Sequence, residues 1–262
     1  MKIEVHLLTH DDEQMLEWAL RYWSHFPVDA VGTRIIVHDG GPVGISSEIA
    51  SRFPLAEVHR WDTAGELNDE LARRLKNECW RATGADWVAV VDADELLHFP
   101  EGAKKTLETY ERIGAAVIKP SGFEMFSEKW HEPSELPGVQ LTDFVKHGSP
   151  DNKWYAKPVL FSPKRVAESG FGIGAHQSEP VLHDGRRIYV GPDWPKANPP
   201  TYLLHFKSIF GGLERIASRY DATRNRLALV NVRNGWGNFS PGMVHAKEKR
   251  DLLLPGVRRV IA

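Results

Sequence analysis

The chain has 262 residues, 42% hydrophobic and 26% charged, the composition of a globular protein with a full core rather than a disordered or fibrous one. No apolar run approaches the roughly 20 residues of a membrane-spanning helix. A net charge of −2 lacks the basic excess of a nucleic-acid binder, and no such partner is expected.

Cys79 is the single cysteine, so no intrachain disulfide can form and a reducing cytoplasm is the expected compartment. The opening MKIEVHLLTH lacks the apolar core and small-residue cleavage site of a signal peptide. Charge is unevenly spread. Residues 1–143 hold 14 basic and 26 acidic side chains, a net of −12, whereas residues 201–262 hold 11 and 4, a net of +7. A basic C-terminal segment could close over the acidic half and meet an anionic substrate. It could also dock on anionic lipid at the inner face of the membrane, dock on an acidic partner, or be a solvated helix.

Residues 3–8 (IEVHLL) read as a first strand, and Asp11 or Asp12 can cap a helix over 13–25 with Met15, Leu16, Ala19, Leu20 and Trp23 on one face. Residues 33–38 (TRIIVH) form a second strand that ends in the turn signal Asp39, Gly40 and Gly41. A short helix over 45–53, a third strand over 56–60 and a helix over 66–83 follow, the last with Leu67, Leu71, Leu75, Cys79 and Trp80 at three- and four-residue spacing. Residues 87–91 (WVAVV) are an unbroken β-branched run, as in a parallel strand buried on both faces. The alternation predicts an α/β fold with a mostly parallel sheet flanked by helices.

The run at 87–91 stops at acid. Asp92, Asp94 and Glu95 stand past the strand end, where open α/β sheets bind ligands. Two carboxylates two residues apart can share one hard divalent cation, Mn2+ or Mg2+; a solvated acidic turn is the plain alternative.

Beyond the turn the pattern loosens. A helix over 101–112 and a strand over 115–119 are expected, then a long mixed segment over 122–140 with exposed-looking Phe123, Phe126 and Trp130. Residues 153–161 (KWYAKPVLF), 187–190 and 202–206 (YLLHF) read as strands, and helices are expected over 212–229 and 243–254.

These residues carry a resemblance. LLTHDDEQMLEWALRYW, IIVHDGG, RRLKNECW, WVAVVDADELL, KWYAKPVLF with the later His176, and LLHFKS resemble, in order, the GT-A glycosyltransferases of family 2 and the family 92-like proteins. The likeness covers about residues 1–210 and implies a GT-A, Rossmann-like catalytic domain. Its bounds would be 1–206, with 1–100 the nucleotide-binding half and 101–206 the acceptor half, followed by a helical C-terminal extension over 207–262.

The resemblance further implies a nucleotide-diphosphate sugar as donor, a divalent cation on the acidic turn, and a glycan, lipid-linked or other small acceptor in surface glycan or glycoconjugate synthesis. Thr9 would then lie by the base or ribose, Asp39 would bond the base, Lys76 and Asn77 would approach the nucleotide, Asp92 would contact ribose or metal water, and Asp94 would ligate the metal. The pattern departs from the family at Asp11-Asp12, where Asn-Glu is usual, and it lacks the Gln-x-x-Arg-Trp of processive enzymes.

Other candidates come from the residues themselves. Lys153 and Lys157 alternate with Tyr155 at strand spacing and suit a departing diphosphate. A base for the acceptor hydroxyl must be a carboxylate: Glu179, after glycines 170, 172 and 174, is the first choice, with Glu124 and Glu95 as alternatives. His205 closes the run 202–204 and would be a third metal ligand or a contact to the diphosphate. Trp130, Trp154, Trp194 and Trp236 fall among loop signals and could stack on sugar. A nucleotidyl or phosphoryl transferase would use the same acidic turn, and a non-catalytic nucleotide- or carbohydrate-binding module would bind without turnover.

Overall fold

The structure, a computed structural model, describes residues 1–10, 12–25, 32–41, 45–150, 156–237 and 241–262. Its first half alternates as the periodicity requires: β1 (Lys2–Thr9), α1 (Glu13–Ser24), β2 (Gly32–Asp39), α2 (Ile45–Ala50), β3 (Ala56–Arg60), α3 (Asp69–Glu78) and β4 (Trp87–Asp92). The four strands are parallel in the order β3-β2-β1-β4. The chain therefore winds outward from β1 to β3 and then returns to the other side of β1, which makes the C-terminal edge between β1 and β4 a topological switch point.

The core explains the order. β4 is buried from Trp87 to Val91, and α1 buries Met15, Leu16, Trp18, Ala19, Leu20, Tyr22 and Trp23. Trp18, Trp23 and Trp87 are among the largest fully buried side chains, and burying such rings dominates a core's energetics. Asp12 caps α1, accepting from the Met15 N–H at 3.4 Å. The helix expected over 66–83 is shorter, because the Asn68 side chain caps it by accepting from the Glu70 and Leu71 N–H groups.

The second half is less regular: β5 (Glu95–His98), α4 (Ala103–Arg112), β6 (Val117–Ile118), β7 (Ser121–Phe126), α5 (Leu141–Phe144), β8 (His147–Pro150), β9 (Leu160–Phe161), β10 (Val166–Glu168), β11 (Val181–Leu182), β12 (Tyr202–His205), α6 (Leu213–Asn225), α7 (Leu229–Asn234), α8 (Gly242–Leu253) and β13 (Arg258–Arg259). β9 extends the first sheet antiparallel to β4, and β6 pairs antiparallel to β9 beyond it. A second sheet runs β13-β8-β7-β12-β5. The fold is thus mixed α/β, with a parallel-rich sheet flanked by helices.

The segment read as a loop from residue 122 begins with strand β7, in which Phe123 is buried rather than exposed. Of the strand expected over 153–161 only Leu160–Phe161 pairs, and Lys153, Trp154 and Tyr155 lie outside the described residues. Pro158 gives one reason, since it brings no N–H to a ladder. Residues 187–190 make isolated bridges only. The C-terminal segment is helical as expected, but its end re-enters the second sheet through β13 beside β8. No helix among the described residues is long and apolar enough to cross a membrane.

Candidate functional site

Register builds the site. β12 lies between β5, antiparallel, and β7, parallel, with His205 opposite both Glu95 and Glu124. Three ionisable side chains from three strands thus stand in one row across the second sheet. Asp94 joins them from the turn between β4 and β5; its carbonyl accepts from the Phe206 N–H at 2.8 Å, which ties the turn to the end of β12.

Glu124 is fully committed. Its Oε2 accepts from His205 Nδ1 at 2.6 Å, and its Oε1 accepts from the Lys207 N–H at 2.9 Å and from the Ser208 N–H. A carboxylate on Nδ1 fixes the imidazole's tautomer and direction, the arrangement that orients metal-ligating histidines. His205 Nε2 consequently faces Asp94 Oδ1 at 3.8 Å and Glu95 Oε1 at 4.0 Å. Burial alone would lower the His205 pKa, but Glu124 and Asp94 outweigh it and hold it above the ordinary histidine value.

Donor atoms of Asp94, Glu95 and His205 lie within 4.8 Å of one another, and all three residues are buried. Two carboxylates and one oriented imidazole fit a divalent ion such as Mn2+. The set differs from the sequence reading in one member. Asp92 takes no part in the trio, because Lys76 Nζ holds its Oδ1 at 2.7 Å and Lys157 Nζ its Oδ2 at 3.3 Å. Glu95, itself paired with Lys157, is the second carboxylate of the trio.

Lys157 is no exposed strand residue. It is buried, lies against Glu95 Oε1 as well as Asp92, and both carboxylates raise its pKa despite burial. Burial opposes ionisation of Asp92 too, but Lys76 and Lys157 hold its pKa far below the usual range. Asp94 likewise stays low, with His205 and Arg219 overcoming burial.

Arg219 was not singled out in the sequence. It reaches down from α6 with Nη2 2.6 Å from Asp12 Oδ2 and 3.1 Å from Asp94 Oδ2, while Nη1 donates to the Phe206 carbonyl at 3.0 Å. One turn earlier, Arg215 lies 3.5 Å above the Trp130 ring, and burial beside Arg219 lowers its pKa to about 10. Trp130 is thus covered by a guanidinium on one face. The net +7 of the C-terminal segment was the signal that pointed here.

The remaining candidates separate into two clefts. Thr9 and Asp39 end β1 and β2 as register partners and are buried. Asp39 accepts from the Gly41 N–H at 2.8 Å and pairs with Arg60. Beside it lies an open cleft of about 440 Å³ lined by Gly40, Gly41, Arg60, Trp61, Thr63 and their neighbours. A side chain on Gly40 would come within 2.9 Å of Trp61 and Thr63, so glycine lets those residues close the cleft wall.

A second cleft of about 560 Å³ follows the outer face of α3 and takes in Arg73, Asn77 and Glu179. Asn77 is spent there: its amide donates to the Arg73 and Phe171 carbonyls and its oxygen accepts from Ser169 and the Phe171 N–H. Glu179 is exposed, and no hydrogen bond or ion pair among the described residues joins it to the acidic cluster. The glycines serve the chain itself, since a side chain on Gly170 would strike the Glu179 carbonyl and one on Gly174 would strike the His176 ring.

A different buried group, His6, His38 and Cys79, also brings its donor atoms within 4.8 Å of one another. Its geometry is closed. The rings are nearly parallel, 13° apart, with centroids at 5.2 Å but Nδ1 of His6 only 2.9 Å from Nε2 of His38. Such rings meet edge to edge, each nitrogen aimed at the other rather than at a shared third point. His6 Nε2 is held by Glu4 at 3.0 Å. Burial pushes the Cys79 thiol up to about 12, against the thiolate a metal requires.

No family model matches the chain, and no curated protein matches it by sequence. Solved structures of similar topology include S. aureus TarS, at 13% identity and a TM-score of 0.40 over 97% of this chain and 43% of that one. A TarS 1–349 complex with UDP gives 13%, 0.39, 97% and 71%. A bifunctional glycosyltransferase, WbbM, gives 11% and 0.32 over 46% and 23%, and 4-diphosphocytidyl-2C-methyl-D-erythritol synthase gives 17% and 0.32 over 62% and 75%. This chain thus spans less than half of the full TarS chain. Likenesses this distant assign no activity, and the function has to be argued from the site.

Proposed function

We propose that the chain transfers a sugar from a nucleotide-diphosphate donor to an acceptor, using a divalent cation held by Asp94, Glu95 and His205. One observation carries this reading: a buried, oriented three-donor cluster at the C-terminal edge of a parallel sheet, at its switch point. One and two strands from β4 along the same edge, roughly 5 and 10 Å away at ordinary strand spacing, Thr9 and Asp39, with the glycine-lined cleft beside Asp39, offer a place for the nucleoside. UDP in the TarS complex makes uridine the first nucleoside to try.

When bound, the cation supplies positive charge to the departing diphosphate. The chain's own residues do the rest. Lys76 and Lys157 keep Asp92 ionised and fixed, Glu124 aims His205, and Lys207 and Arg219 bring positive charge to the phosphate side. Glu124 is bonded on both oxygens and Glu95 is pressed against Lys157, while the Glu179 carboxylate has no partner among the described residues but lies in the separate cleft along α3.

The test is a thermal-shift screen of nucleoside diphosphates with and without Mn2+, since a ligand that binds only the native state raises its melting temperature. A shift that needs both ligands is expected, and incubation with donor should then release a nucleoside diphosphate. Release of pyrophosphate would instead establish nucleotidyl transfer, and binding without any turnover or donor hydrolysis a binding module.

We also infer that α7 and α8 contact an anionic lipid surface at the membrane's inner face. Leu229 and Val232 on α7 and Met243, Val244 and Leu252 on α8 are exposed, and the same C-terminal segment carries the basic residues Arg233, Lys247, Arg258 and Arg259. Exposed apolar side chains with a basic surround suit an anionic interface. Retention on phosphatidylserine vesicles, lost on Leu252→Asp with Val232→Asp, is expected; no retention leaves a solvated face.

A further inference from the structure

We infer that Arg219 couples cation and donor binding: its guanidinium neutralises Asp94 until an anionic diphosphate arrives, so that the divalent cation binds weakly alone and tightly with the nucleotide. This rests on the glycosyltransferase reading above and concerns the same site.

The premise is charge balance. Asp94 Oδ2 lies 3.1 Å from Arg219 Nη2, and Asp94 is 12% exposed at its side chain while Arg219 is 23%. A pair buried to this degree is poorly screened, so each charge depends on the other. A cation entering at Asp94 Oδ1, Glu95 and His205 adds two positive charges beside a guanidinium that cannot lose its proton. Nor can Arg219 easily leave, because Asp12 Oδ2 at 2.6 Å and the Phe206 carbonyl at 3.0 Å hold it from two further sides. Lys157 against Glu95 adds to the same surplus.

A nucleoside diphosphate brings the missing negative charge. The quarter of Arg219 that remains exposed faces incoming solute, and a guanidinium fork matches phosphate oxygens. With the diphosphate in place, the cation and Arg219 share its charge, and each ligand tightens the other by the same factor. Arg219 is therefore a positioning residue that penalises the cation bound without substrate.

The experiment uses the full chain and two readouts that do not involve turnover. Free Mn2+ in titrations, followed by electron paramagnetic resonance, gives the affinity for the cation alone. Calorimetric titration of UDP, with and without saturating Mn2+ and corrected for the Mn2+–UDP complex formed in buffer, gives the coupling factor. The parent chain should show a coupling of about tenfold or more. Arg219→Leu should bind Mn2+ alone more tightly and lose most of that coupling, and Arg219→Lys should restore part of it. Asp12→Asn, which frees Arg219 to favour Asp94, should weaken Mn2+ binding alone, and it serves as the reporter if Arg219→Leu does not fold.

Tighter Mn2+ binding with reduced coupling in Arg219→Leu supports the inference. Coupling unchanged in Arg219→Leu, or unchanged Mn2+ affinity in a folded Asp12→Asn, overturns it while leaving the glycosyltransferase reading intact. A parent chain that binds no Mn2+ even with UDP removes the metal reading itself, and the inference with it.

Discussion

Two buried histidine clusters sit among the described residues, and they differ in what the imidazole nitrogens face. On the first sheet, Glu4 holds one nitrogen of His6 and the other is closed against His38. On the second sheet, Glu124 holds one nitrogen of His205 and the other faces Asp94 and Glu95. Both are buried carboxylate–histidine pairs, so residue type and burial do not separate them. Direction does: a nitrogen aimed at another ring completes a hydrogen-bonded chain, whereas one aimed at two carboxylates completes a donor set. The charges follow the same division, since burial next to His6 and His59 lowers the His38 pKa to about 3 and the carboxylates raise that of His205.

The most severe test of this contrast is Asp94→Asn. It should reduce Mn2+-supported nucleotide binding by about 10² to 10³-fold while the far-ultraviolet circular dichroism stays that of the parent. A variant that binds Mn2+ and nucleotide normally would place the cation elsewhere.

Acid titration probes the closed cluster. His38 binds its proton near pH 3 in the fold and near 6.5 when unfolded. Below pH 6.5 the unfolded chain takes up the extra proton, so stability falls as pH drops towards 3. Between pH 6.5 and 4.5 the loss should be about 2 kcal/mol. Urea unfolding across that range checks it, and His38→Gln should flatten the slope; an equally steep slope in His38→Gln would assign the acid sensitivity to other groups.

Glu124→Gln should be milder than loss of a ligand. The amide still meets His205 but no longer offers the charge that fixes and strengthens it, and Mn2+ affinity should fall by about 10 to 100-fold. No change on titration would make Glu124 a purely structural tether of the Lys207 and Ser208 amides.

The smallest effect is expected at Cys79. Cys79→Ala should cost about 1 kcal/mol of packing and leave Mn2+ or Co2+ binding untouched. A thiolate-to-Co2+ absorption band that vanishes in Cys79→Ala would show the closed cluster to be a metal site and break the contrast drawn here.

Legibility in the sequence follows the range of the interactions. The parallel half was readable because its strands and helices carry their own period, and the acidic turn because it ends an unbroken apolar run. The strand-end position of His205 was readable from YLLHF. Glu124 was offered as a base, but its partner is 81 residues away, and only β7 beside β12 reveals that it orients His205. Lys157 was read as a strand residue on a phosphate-facing surface; it lies instead in a non-strand stretch among buried carboxylates. Arg219, 125 residues from Asp94, was visible only as part of a net charge.

By itself the sequence determined the α/β order and the acid at the end of β4, because each is written in contiguous residues with a strand or helix period. Tertiary structure alone decided the second sheet. Its strands are two to six residues long and partly polar, too short to show a period, so pairing between distant segments fixes them. That pairing aligns Glu95, His205 and Glu124, and it decides which buried charges have partners. A carboxylate or lysine cannot stay buried without a counter-charge, and the partner's position is a property of the fold rather than of neighbouring residues.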